Sequence, residues 1–536
     1  MDDLEQIIER SRSGALSEAD RSKLSQTVAT LAWLQQEIAN KDVTLARLRS
    51  LFGLSTSEKT KDVLANAVAA AVGGHEPAKG SNGAGAAGQK SKGHGRNAAS
   101  DYIAERIRVP HESLKPGDPC PCCPTGKQGK VYGLAKPRQL VRVVGRPPLT
   151  ATVHELERLR CNLCGEVFVA KAPPGVGEQK YDATAASMIA LLKYGSGLPF
   201  SRLERLQGNL GIPLPAATQW EIVHEAAEEL APVHQELIRQ AAQGRLLHND
   251  DTSMQVLALR REIDRQAAAG ETDRTGIFSS SIVSELADGA RVALFFTGRK
   301  HAGENMAEVL RQRAADLEPP LQMCDGLDRN LPKEFATVLA NCLAHGRRKF
   351  VEVAGSFPDE CRFVLETLRD VYRHDAETRE RQLSDEDRLR YHQEHSRHLM
   401  ADLESWMAAQ IASRQTEPNS ALGGAIAYMQ NRWDKLTLFL RQPGAPLDNN
   451  ICERALKKAI LNRKNAYFYK TENGARVGDL FMSLIHTAEL AGENPFEYLA
   501  ALLDHAADVR QKPDQWLPWR YQATLDSFAV RSPPPP

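Results

Sequence analysis

The stretch LLHNDDTSMQVLAL, residues 246–259, begins a change from helical to strand-like sequence. It is followed by GIFSSSIVSEL (276–286), RVALFFTGR (291–299) and PPLQMCDGL (319–327), which are short apolar or β-branched runs. Runs of this kind, bounded by turn residues, are typical of β-strands. Residues 302–316 have the pattern of a helix, and residues 336–440 are predicted to be mostly helical. The sequence therefore predicts a three-stranded meander, then a helix, then a fourth strand.

This order of elements is similar to that of a ribonuclease-H-like fold. In such a fold Asp250 (or Asp251) would lie on the first strand and Asp325 at the end of the fourth. A single acid at a strand end is usually a cap or a turn residue. Two acids on adjacent central strands, joined by Glu453, would form a cluster of carboxylates that repel one another unless a cation holds them. Oxygen ligands of this type suit Mg²⁺ or Mn²⁺.

The third acid lies in PLDNNICERALKKAILNRKNAYF, residues 446–468. Its DNN triplet (448–450) is a helix start, and Glu453 would lie in the first turn of the helix that follows. Between residues 454 and 476, seven Lys or Arg residues accompany one acid. This pattern suits a metal site bordered by phosphate contacts. The alternative is a capped surface helix with an ion pair between Glu453 and Lys457, one turn apart.

Composition restricts the function classes only weakly. The 536 residues include 68 Lys or Arg and 68 Asp or Glu, so the net charge is zero and local clusters must indicate the partners. The length predicts roughly three or four domains. The acidic start MDDLEQIIER does not resemble a signal peptide, and no run of apolar residues is long enough to span a membrane. We therefore expect a cytoplasmic location.

Four of the nine cysteines form two CxxC pairs, Cys120 with Cys123 and Cys161 with Cys164. Each pair lies in a turn sequence, and two such turns can bring four thiolates to one tetrahedral zinc ion. The sequence between the pairs alternates as strands do, so we predict a zinc ribbon with structural Zn²⁺. Cys122 could replace a neighbouring ligand, and a redox role for the pairs is the alternative.

Three further segments have weaker signals. In residues 20–50 apolar side chains recur every seven positions, which favours a coiled coil and self-association, or an amphipathic helix packed on its own chain. Residues 73–97 are rich in Gly, Ala, Ser and Lys, as flexible linkers are. Residues 201–230 have helix-turn-helix character, which is found in DNA readers and in ordinary helical packing.

Together these patterns predict a multidomain α+β protein of eight segments. They are an N-terminal helical or coiled-coil segment (1–60), a flexible linker (61–105), a zinc-ribbon domain (106–175), a helical DNA-binding domain with helix-turn-helix character (176–245), the first part of a ribonuclease-H-like catalytic domain (246–350), a helical insertion (351–440), the second part of the catalytic domain (441–510) and a C-terminal tail (511–536).

The motifs as a set resemble the large transposase of the insertion-sequence-66 family, a DDE-type transposase. The resemblance covers nearly the whole chain and is most specific in LANCLAHGRRKFVE (339–352), PLDNNICERALKKAILNRKNAYFY (446–469) and SLIHTAELAGENPFEYLAALL (483–503). It implies that Asp250, Asp325 and Glu453 are the catalytic acids.

Two motifs depart from the family's pattern. The family usually has Asp-Glu-Thr-Pro at the first acid, whereas this chain has Asp-Asp-Thr-Ser from Asp250 to Ser253. The choice between Asp250 and Asp251 therefore stays open at this point. The second acid is usually followed by Gly and an aromatic residue, but Gly326 is followed by Leu327.

The resemblance leads to a mechanistic hypothesis. Asp250, Asp325 and Glu453 would hold two Mg²⁺ (or Mn²⁺) ions, which activate a water or a DNA 3′-OH and stabilise the leaving oxygen of an in-line displacement. Water would first nick the element's ends, and each freed 3′-OH would then attack target DNA. The candidate DNA-contact residues are His345, Arg347, Arg348, Lys349, Asn449, Asn450, Arg454, Arg463 and Lys464.

The partners implied are DNA, as terminal repeats and as target, a second copy of the chain, and small accessory proteins encoded by the same element. The location implied is the cytoplasm, in association with the bacterial nucleoid. Two other functions are compatible with the sequence. One is a catalytically inactive DNA-binding regulator derived from a transposase. The other is a ribonuclease-H-like nuclease that cuts DNA strands and never joins them.

Overall fold

A computed structural model describes Thr60, Val63 and residues 113–121, 129–132, 148–160, 162, 167–174, 179–271 and 274–531. Two compact units divide the chain: the first comprises Met1–His75, Gly177–Leu203 and Pro215–Pro536, and the second comprises Glu76–Val176 and Glu204–Leu214. The predicted N-terminal helix (20–50) and linker (73–97) lie outside the described residues, so both stay predictions.

A five-stranded mixed sheet forms the centre of the first unit. Its strands are β1 (Leu246–Ser253), β2 (Phe278–Glu285), β3 (Arg291–Gly298), β4 (Leu321–Cys324) and β5 (Val338–Asn341), arranged in the order β3-β2-β1-β4-β5. β1 pairs antiparallel with β2 and parallel with β4, which places it in the middle. The predicted order of meander, helix and fourth strand is confirmed.

The remaining regular structure of the described chain is mostly helical. The helices are α1 (Ala183–Ala190), α2 (Phe200–Asn209), α3 (Ala216–Ala242), α4 (Leu257–Ala268), α5 (Ala302–Leu310), α6 (Leu343–Val353), α7 (Pro358–Glu380), α8 (Asp385–His395), α9 (Arg397–Ala412), α10 (Ala421–Gln430), α11 (Trp433–Leu436), α12 (Asn450–Ala466), α13 (Glu472–Leu490), α14 (Pro495–Asp504), α15 (Ala506–Gln511) and α16 (Tyr521–Arg531). None of the helices in the described part of the chain has the length and apolarity needed to cross a membrane.

Two local predictions were wrong. Residues 338–341, which we expected at the start of a helical region, form β5, because VLAN pairs in parallel with β4 inside the core. The first strand ends at Ser253, and the apolar residues from Leu257 onward begin α4. There Leu257 donates its N–H to the carbonyl of Tyr469, so a distant segment and not local pattern ends the strand.

Edge strand β3 is covered by α13. The backbone N–H groups of Ala293, Phe295 and Thr297 donate to Thr487 Oγ1, Ser483 Oγ and Asp479 Oδ2, at 3.1, 3.0 and 2.7 Å. The three acceptors are spaced four residues apart, so they lie along one face of the helix. An exposed strand edge would pair with other chains, and this helix closes it.

The predicted boundaries of the helical regions change in the structure. α3, which we had assigned to a separate DNA-binding domain (176–245), packs on β3 and α13 within the first unit and buries Val223, Leu230 and Leu237. The reason is that its apolar stripe completes the core of the sheet. The predicted C-terminal tail (511–536) contains the buried Trp516 and Tyr521, so this segment is also part of the first unit.

The segment 351–440, which the sequence predicts to be a helical insertion, contains helices α7 to α11. Its apolar residues, including Leu368, Leu403 and Met429, belong to the same hydrophobic cluster as Met323 of β4 and Ala340 of β5. Burial of such side chains stabilises by roughly 1.5–3 kcal/mol each. The insertion therefore packs directly on one side of the sheet.

In the second unit, Arg158–Arg160 and Val167–Val169 form an antiparallel ribbon. The segment between these strands carries Cys161 and Cys164. A bridge between Pro119 and Lys130 likewise closes the segment that carries the first CxxC pair. Cys120 is the one predicted zinc ligand among the described residues, and the other three lie outside them, so the zinc ribbon stays a prediction.

Candidate active site

Asp250 lies within β1, three residues before the strand ends, and Asp325 directly follows the adjacent parallel strand β4. β1 and β4 pair in register from Leu246 opposite Leu321 to His248 opposite Met323. If this register is continued by two residues, Asp250 of β1 is opposite Asp325, which directly follows β4. Neighbouring strands are separated by roughly 4.8 Å, so the sheet itself brings the first two acids together.

Glu453 reaches the same place because the start of α12 is attached to β1 and β2. The N-cap residue Asn449 is completely buried and donates from Nδ2 to the carbonyl of Asn249 at 3.1 Å. Its Oδ1 lies 3.0 Å from Nδ1 of His248. Burial lowers the pKa of His248 to about 4, so the ring is neutral and its Nδ1–H is the donor. Cys452 donates to the carbonyl of Ser281 at 3.3 Å.

These anchors lie on both sides of Asp250. Asn249 precedes it on β1, and Ser281 is its partner on β2. Glu453 lies in the first turn of α12, beside Cys452, and so close to Asp250 that its charge acts on that carboxyl group. The third acid is therefore positioned by a helix start that is hydrogen-bonded to the central strands.

The electrostatics of the cluster call for a cation. Burial raises the pKa of Asp250 to about 7, and the charges of Asp325, Asp251 and Glu453 add to the effect. Asp250 accepts one hydrogen bond, from the backbone N–H of Asp251 at 2.8 Å, and it forms no ion pair with a described residue. One carboxylate oxygen of Glu453 is buried with no hydrogen-bond partner in the described part of the chain. This set of oxygens fits a hard divalent cation.

Asp251 has a different environment. Its side chain is 1% exposed and lies 2.9 Å from Nδ1 of His301 and 3.3 Å from the guanidinium of Arg329. It also faces the N-terminus of α5, 3.5 Å from the N–H of Ala302. Successive residues of a strand point to opposite faces, which is why the two neighbouring aspartates separate. The geometry favours Asp250 as the first acid, and it gives Asp251 a structural role.

A tight turn presents Asp325. Its Oδ1 accepts from the N–H of Leu327 at 3.0 Å and from Nδ2 of Asn330 at 2.7 Å. The next residue, Gly326, has φ +82°, and a Cβ there would lie 3.0 Å from Nε of Arg432. A residue with a side chain would be strained in this backbone conformation. Both hydrogen bonds use the same oxygen, so the other one can face a cation.

This geometry agrees with the comparison to known families. The model of the IS66 transposase family matches residues 179–477, more than half of the chain, and the matched range contains all three acids. The chain belongs to the IS66 transposase family. The recognition of the family from the sequence motifs is thereby confirmed.

Relatives of this family member occur in Sinorhizobium fredii. The uncharacterized protein y4jD is 35% identical over 191 residues, which are 34% of this chain and 36% of that protein. The uncharacterized protein y4hP is 26% identical over 435 residues, which are 78% of this chain and 75% of that protein. The chain thus spans about a third of the first relative and three quarters of the second, and neither name states an activity.

The basic residues of α6 in this family member have different partners. His345 is half-buried, with Nε2 3.7 Å from a carboxylate oxygen of Glu453. Arg347 donates to Oγ1 of Thr60 at 3.3 Å, and Arg348 is partly buried. Lys349 is exposed, 3.6 Å from Glu352. His345 is therefore at the acid cluster, whereas Lys349 faces solvent.

On α12, Asn450, Arg454 and Lys464 are exposed. Arg463 instead contacts β1, with Nη1 2.6 Å from Oγ of Ser253 and 3.3 Å from Oγ1 of Thr252. The prediction of a DNA contact by Asn449 does not agree with its burial, since both of its polar side-chain atoms are already used. Its hydrogen bonds to β1 instead support a role for Asn449 in positioning Glu453.

The structure adds cationic residues that the sequence reasoning missed. Arg432 lies over the ring of Tyr428, 4.3 Å from its centroid, while Nε faces Gly326. Tyr428 in turn donates to the carbonyl of Asp325 at 3.1 Å. Lys435 is exposed and its charge reaches Cys324, the residue before Asp325. The i,i+4 spacing of Tyr428 and Arg432 signals a cation–π pair, but it does not indicate that the pair lies beside an acid.

Proposed function

We propose that the protein is a DDE-type transposase that cuts DNA at the ends of an insertion sequence and transfers the 3′ ends to target DNA. The catalytic domain would be ribonuclease-H-like, with α7 to α11 as its helical insertion. The observation that supports this most strongly is the convergence of Asp250, Asp325 and Glu453, which are 203 positions apart at the extremes of the sequence.

The three acids have one shared task in this proposal, which is to bind a divalent cation. Asp250, Asp325 and Glu453 would hold Mg²⁺ (or Mn²⁺), which supplies activation of the attacking hydroxyl and stabilisation of the leaving oxygen. Without a cation, burial and the charges of Asp325, Asp251 and Glu453 raise the pKa of Asp250 to about 7, so it retains a proton up to about neutral pH. Asn449 and Cys452 keep Glu453 in place, because both bond to backbone carbonyls of the sheet.

DNA would approach the exposed side of this cluster. Arg454 and Lys464 on α12, and Arg432 and Lys435 from the helical insertion, are cationic groups near the acids or on the helix that carries Glu453. Cations placed along a groove neutralise phosphates and release counterions, so binding should weaken steeply with added salt. The predicted zinc ribbon, self-association and accessory proteins remain part of the proposal.

The decisive experiment replaces Glu453 by Gln in the full chain. Mg²⁺-dependent nicking of DNA that carries both ends of the encoding element should be lost, while binding of the same DNA in a gel-shift assay should persist. Glu472→Gln is a matched control, because Glu472 is an exposed acid in the first turn of α13. Retained nicking by Glu453→Gln would refute the assignment of the third acid.

Precut DNA ends distinguish the transposase from the two other functions. A transposase joins a precut 3′-OH end to target DNA, and this joining should also need Asp250 and Glu453. Nicking without joining would indicate a nuclease of the same fold. Binding to the element's ends with no Mg²⁺-dependent chemistry by the wild-type chain would indicate a regulator.

A further inference from the structure

A second group of metal-ligating atoms lies next to the acid cluster. Cys342, His345 and Glu453 each offer one ligand atom, and these three atoms lie within 4.8 Å of one another. Nε2 of His345 is 3.7 Å from Oε1 of Glu453. Two members of the group, Cys342 and His345, have no place in the proposed Mg²⁺ site.

Two helix starts produce this convergence. Cys342 is the N-cap of α6, and His345, three residues later, lies on the same face of the helix. The N–H of Leu343 donates to the carbonyl of Leu447 at 2.9 Å, which joins the start of α6 to the segment that leads into α12. The arrangement is therefore fixed by backbone hydrogen bonds and does not depend on flexible side chains alone.

The polar atoms of this group are incompletely satisfied. Oε1 of Glu453 and Nδ1 of His345 are buried without a hydrogen-bond partner among the described residues. Buried polar atoms without partners are rare in folded proteins, and a metal ion is one of the groups that can satisfy them. Burial raises the pKa of the Cys342 thiol to about 12, so the thiol keeps its proton until a metal displaces it. The N–H of Asn449, which donates to the sulfur at 3.3 Å, opposes that rise.

The three ligands of this group favour a different metal from the one that the acid cluster favours. Sulfur, imidazole and one carboxylate are ligands of zinc, whereas Mg²⁺ prefers oxygen alone. Zinc–ligand bonds of roughly 2.0–2.3 Å require ligand atoms about 3.5 Å apart, so a contraction of about 1 Å would be enough. Three protein ligands and one open position are common in zinc sites that exchange their fourth ligand.

We propose that Cys342, His345 and Glu453 form a binding site for Zn²⁺. This site shares Glu453 with the proposed Mg²⁺ site. Binding releases the thiol proton of Cys342 to solvent, so charge and protons balance. The bound Zn²⁺ holds the carboxylate of Glu453 and thereby competes with its use in catalysis. The Zn²⁺ site does not depend on the proposed function. The inhibition of DNA nicking by Zn²⁺ does rest on the proposed function.

Binding is tested with Co²⁺, which replaces Zn²⁺ and reports a sulfur ligand through its charge-transfer absorption. The full chain is used, so the cysteines of the predicted zinc ribbon also bind Co²⁺, and the comparison must be between variants. Cys342→Ser should bind one equivalent of Co²⁺ fewer than the wild type. Cys361→Ser is the matched control, because Cys361 is also a buried cysteine but belongs to no group of three metal-ligating side chains among the described residues. It should bind as the wild type does.

A second variant tests whether a loss of Co²⁺ binding comes from the lost ligand or from misfolding. His345→Gln leaves the thiol in place and should lose the same equivalent, with an unchanged circular dichroism spectrum. Loss of a supporting partner of a metal ligand already weakens binding roughly 10–100-fold, and loss of a ligand should cost at least as much. Equal Co²⁺ stoichiometry in wild type, Cys342→Ser and His345→Gln would overturn the site.

The regulatory part is tested by adding Zn²⁺ to Mg²⁺-dependent nicking. Cys342→Ser should need at least about tenfold more Zn²⁺ than the wild type for half-inhibition, because the competing site has lost a ligand. Equal inhibition of both proteins would overturn the competition for Glu453. If no preparation nicks DNA, the proposed function fails, while the Co²⁺ stoichiometry still decides the metal site.

Discussion

Asp375 of α7 and Asp250 of β1 are both aspartates of the first unit, but the charges around their carboxyl groups are opposite in sign. Asp375 is completely buried and accepts hydrogen bonds from Arg388 at 2.6 Å and from Arg379 at 3.0 Å, with Nε2 of His392 at 3.3 Å. Burial alone would raise the pKa of Asp375, but the bond from His392 and the two guanidinium groups hold it well below its usual range. Asp250 has carboxylates as neighbours, and its pKa is raised to about 7.

The presence or absence of cationic partners distinguishes a structural acid from a candidate catalytic acid. Asp375 has its cations built into α7 and α8, so its charge is neutralised by the fold. Asp250 has no such partner among the described residues, so its charge must be balanced from outside the chain. An uncompensated buried charge is costly, and its presence in a fold indicates a task other than stability.

A raised pKa by itself is not the criterion. Burial also raises the pKa of Asp479 to about 7, yet both oxygens of this side chain accept hydrogen bonds from Thr297. In the described part of the chain no other acid acts on Asp479, and its side chain closes the edge of β3. The combination of a raised pKa, like-charged neighbours and missing partners is what distinguishes Asp250.

The largest expected effect is on catalysis. Asp250→Asn should lower the rate of Mg²⁺-dependent nicking on the order of 10³-fold, about 4 kcal/mol in the activation free energy, because a ligand of the proposed cation is lost. Asp375→Asn should leave the rate within about threefold at a temperature where it is folded. Single-turnover nicking of end DNA measures both. Similar losses in the two variants would remove the distinction between the aspartates.

The next effect is on stability. Asp375→Asn should lower the free energy of unfolding by about 3 kcal/mol, because it leaves Arg388, whose side chain is 20% exposed, without its counter-ion. Urea unfolding at pH 7 measures this. Asp387→Asn breaks an exposed pair with Arg390 and should lower the free energy of unfolding far less than Asp375→Asn does. Equal losses would mean that burial does not strengthen the Asp375 cluster.

The pH dependence of stability should have opposite signs at the two sites. The native state keeps a proton on Asp250 that the unfolded state loses between pH 3.8 and about 7, so its contribution to stability falls as pH rises through that window. Asp250→Asn should therefore be more stable than the wild type by about 2 kcal/mol at pH 8, roughly half of the shift at 1.36 kcal/mol per unit, because Asp250 is partly exposed and solvent screens its charge.

The same urea series at pH 4 is the control for that prediction. There the stability of Asp250→Asn should approach that of the wild type, because the carboxyl group is protonated in the native state. For Asp375 the sign reverses: its folded pKa is depressed, so its contribution is present at neutral pH and decreases as the pH falls below about 4. A stability gain of Asp250→Asn that is equal at pH 4 and pH 8 would exclude the charge repulsion as its cause.

The smallest expected effect is stabilisation by the cation itself. Mg²⁺ at ten times its Kd should raise the free energy of unfolding of the wild type by about 1.4 kcal/mol, because it binds the native state alone. Asp250→Asn should show little of this effect, and Asp375→Asn should retain it. The Tm in a Mg²⁺ titration, with matched ionic strength from NaCl, measures the difference.

Much of the site was predictable from sequence because its parts are local motifs. The strand-like runs at 246–259 and 319–327 predicted Asp250 on the first strand and Asp325 at the end of the fourth, where the structure has them. The helix-starting triplet before Glu453 predicted the first turn of α12. Strand and helix starts depend on short-range periodicity and capping, which a single sequence contains.

Other features were not predictable because they depend on distant partners. β5 was taken for helix, since four residues have too little pattern to reveal a strand that exists by pairing with β4. The partners of Arg432 and Asp251 come from segments that are far apart in the chain. No local signal distinguishes Asp250 from Asp251, because the choice depends on which face of β1 receives α12.

The sequence by itself determined the family, because family motifs are a few residues long. It also predicted the strands around Asp250 and Asp325 and the helix start before Glu453. Only the tertiary structure decided that Asp250 meets Asp325 and Glu453 while Asp251 is neutralised. It also decided that Cys342 and His345 lie beside Glu453. The physical reason is that charge and ligand geometry depend on through-space distances, which hydrogen bonds between distant segments set.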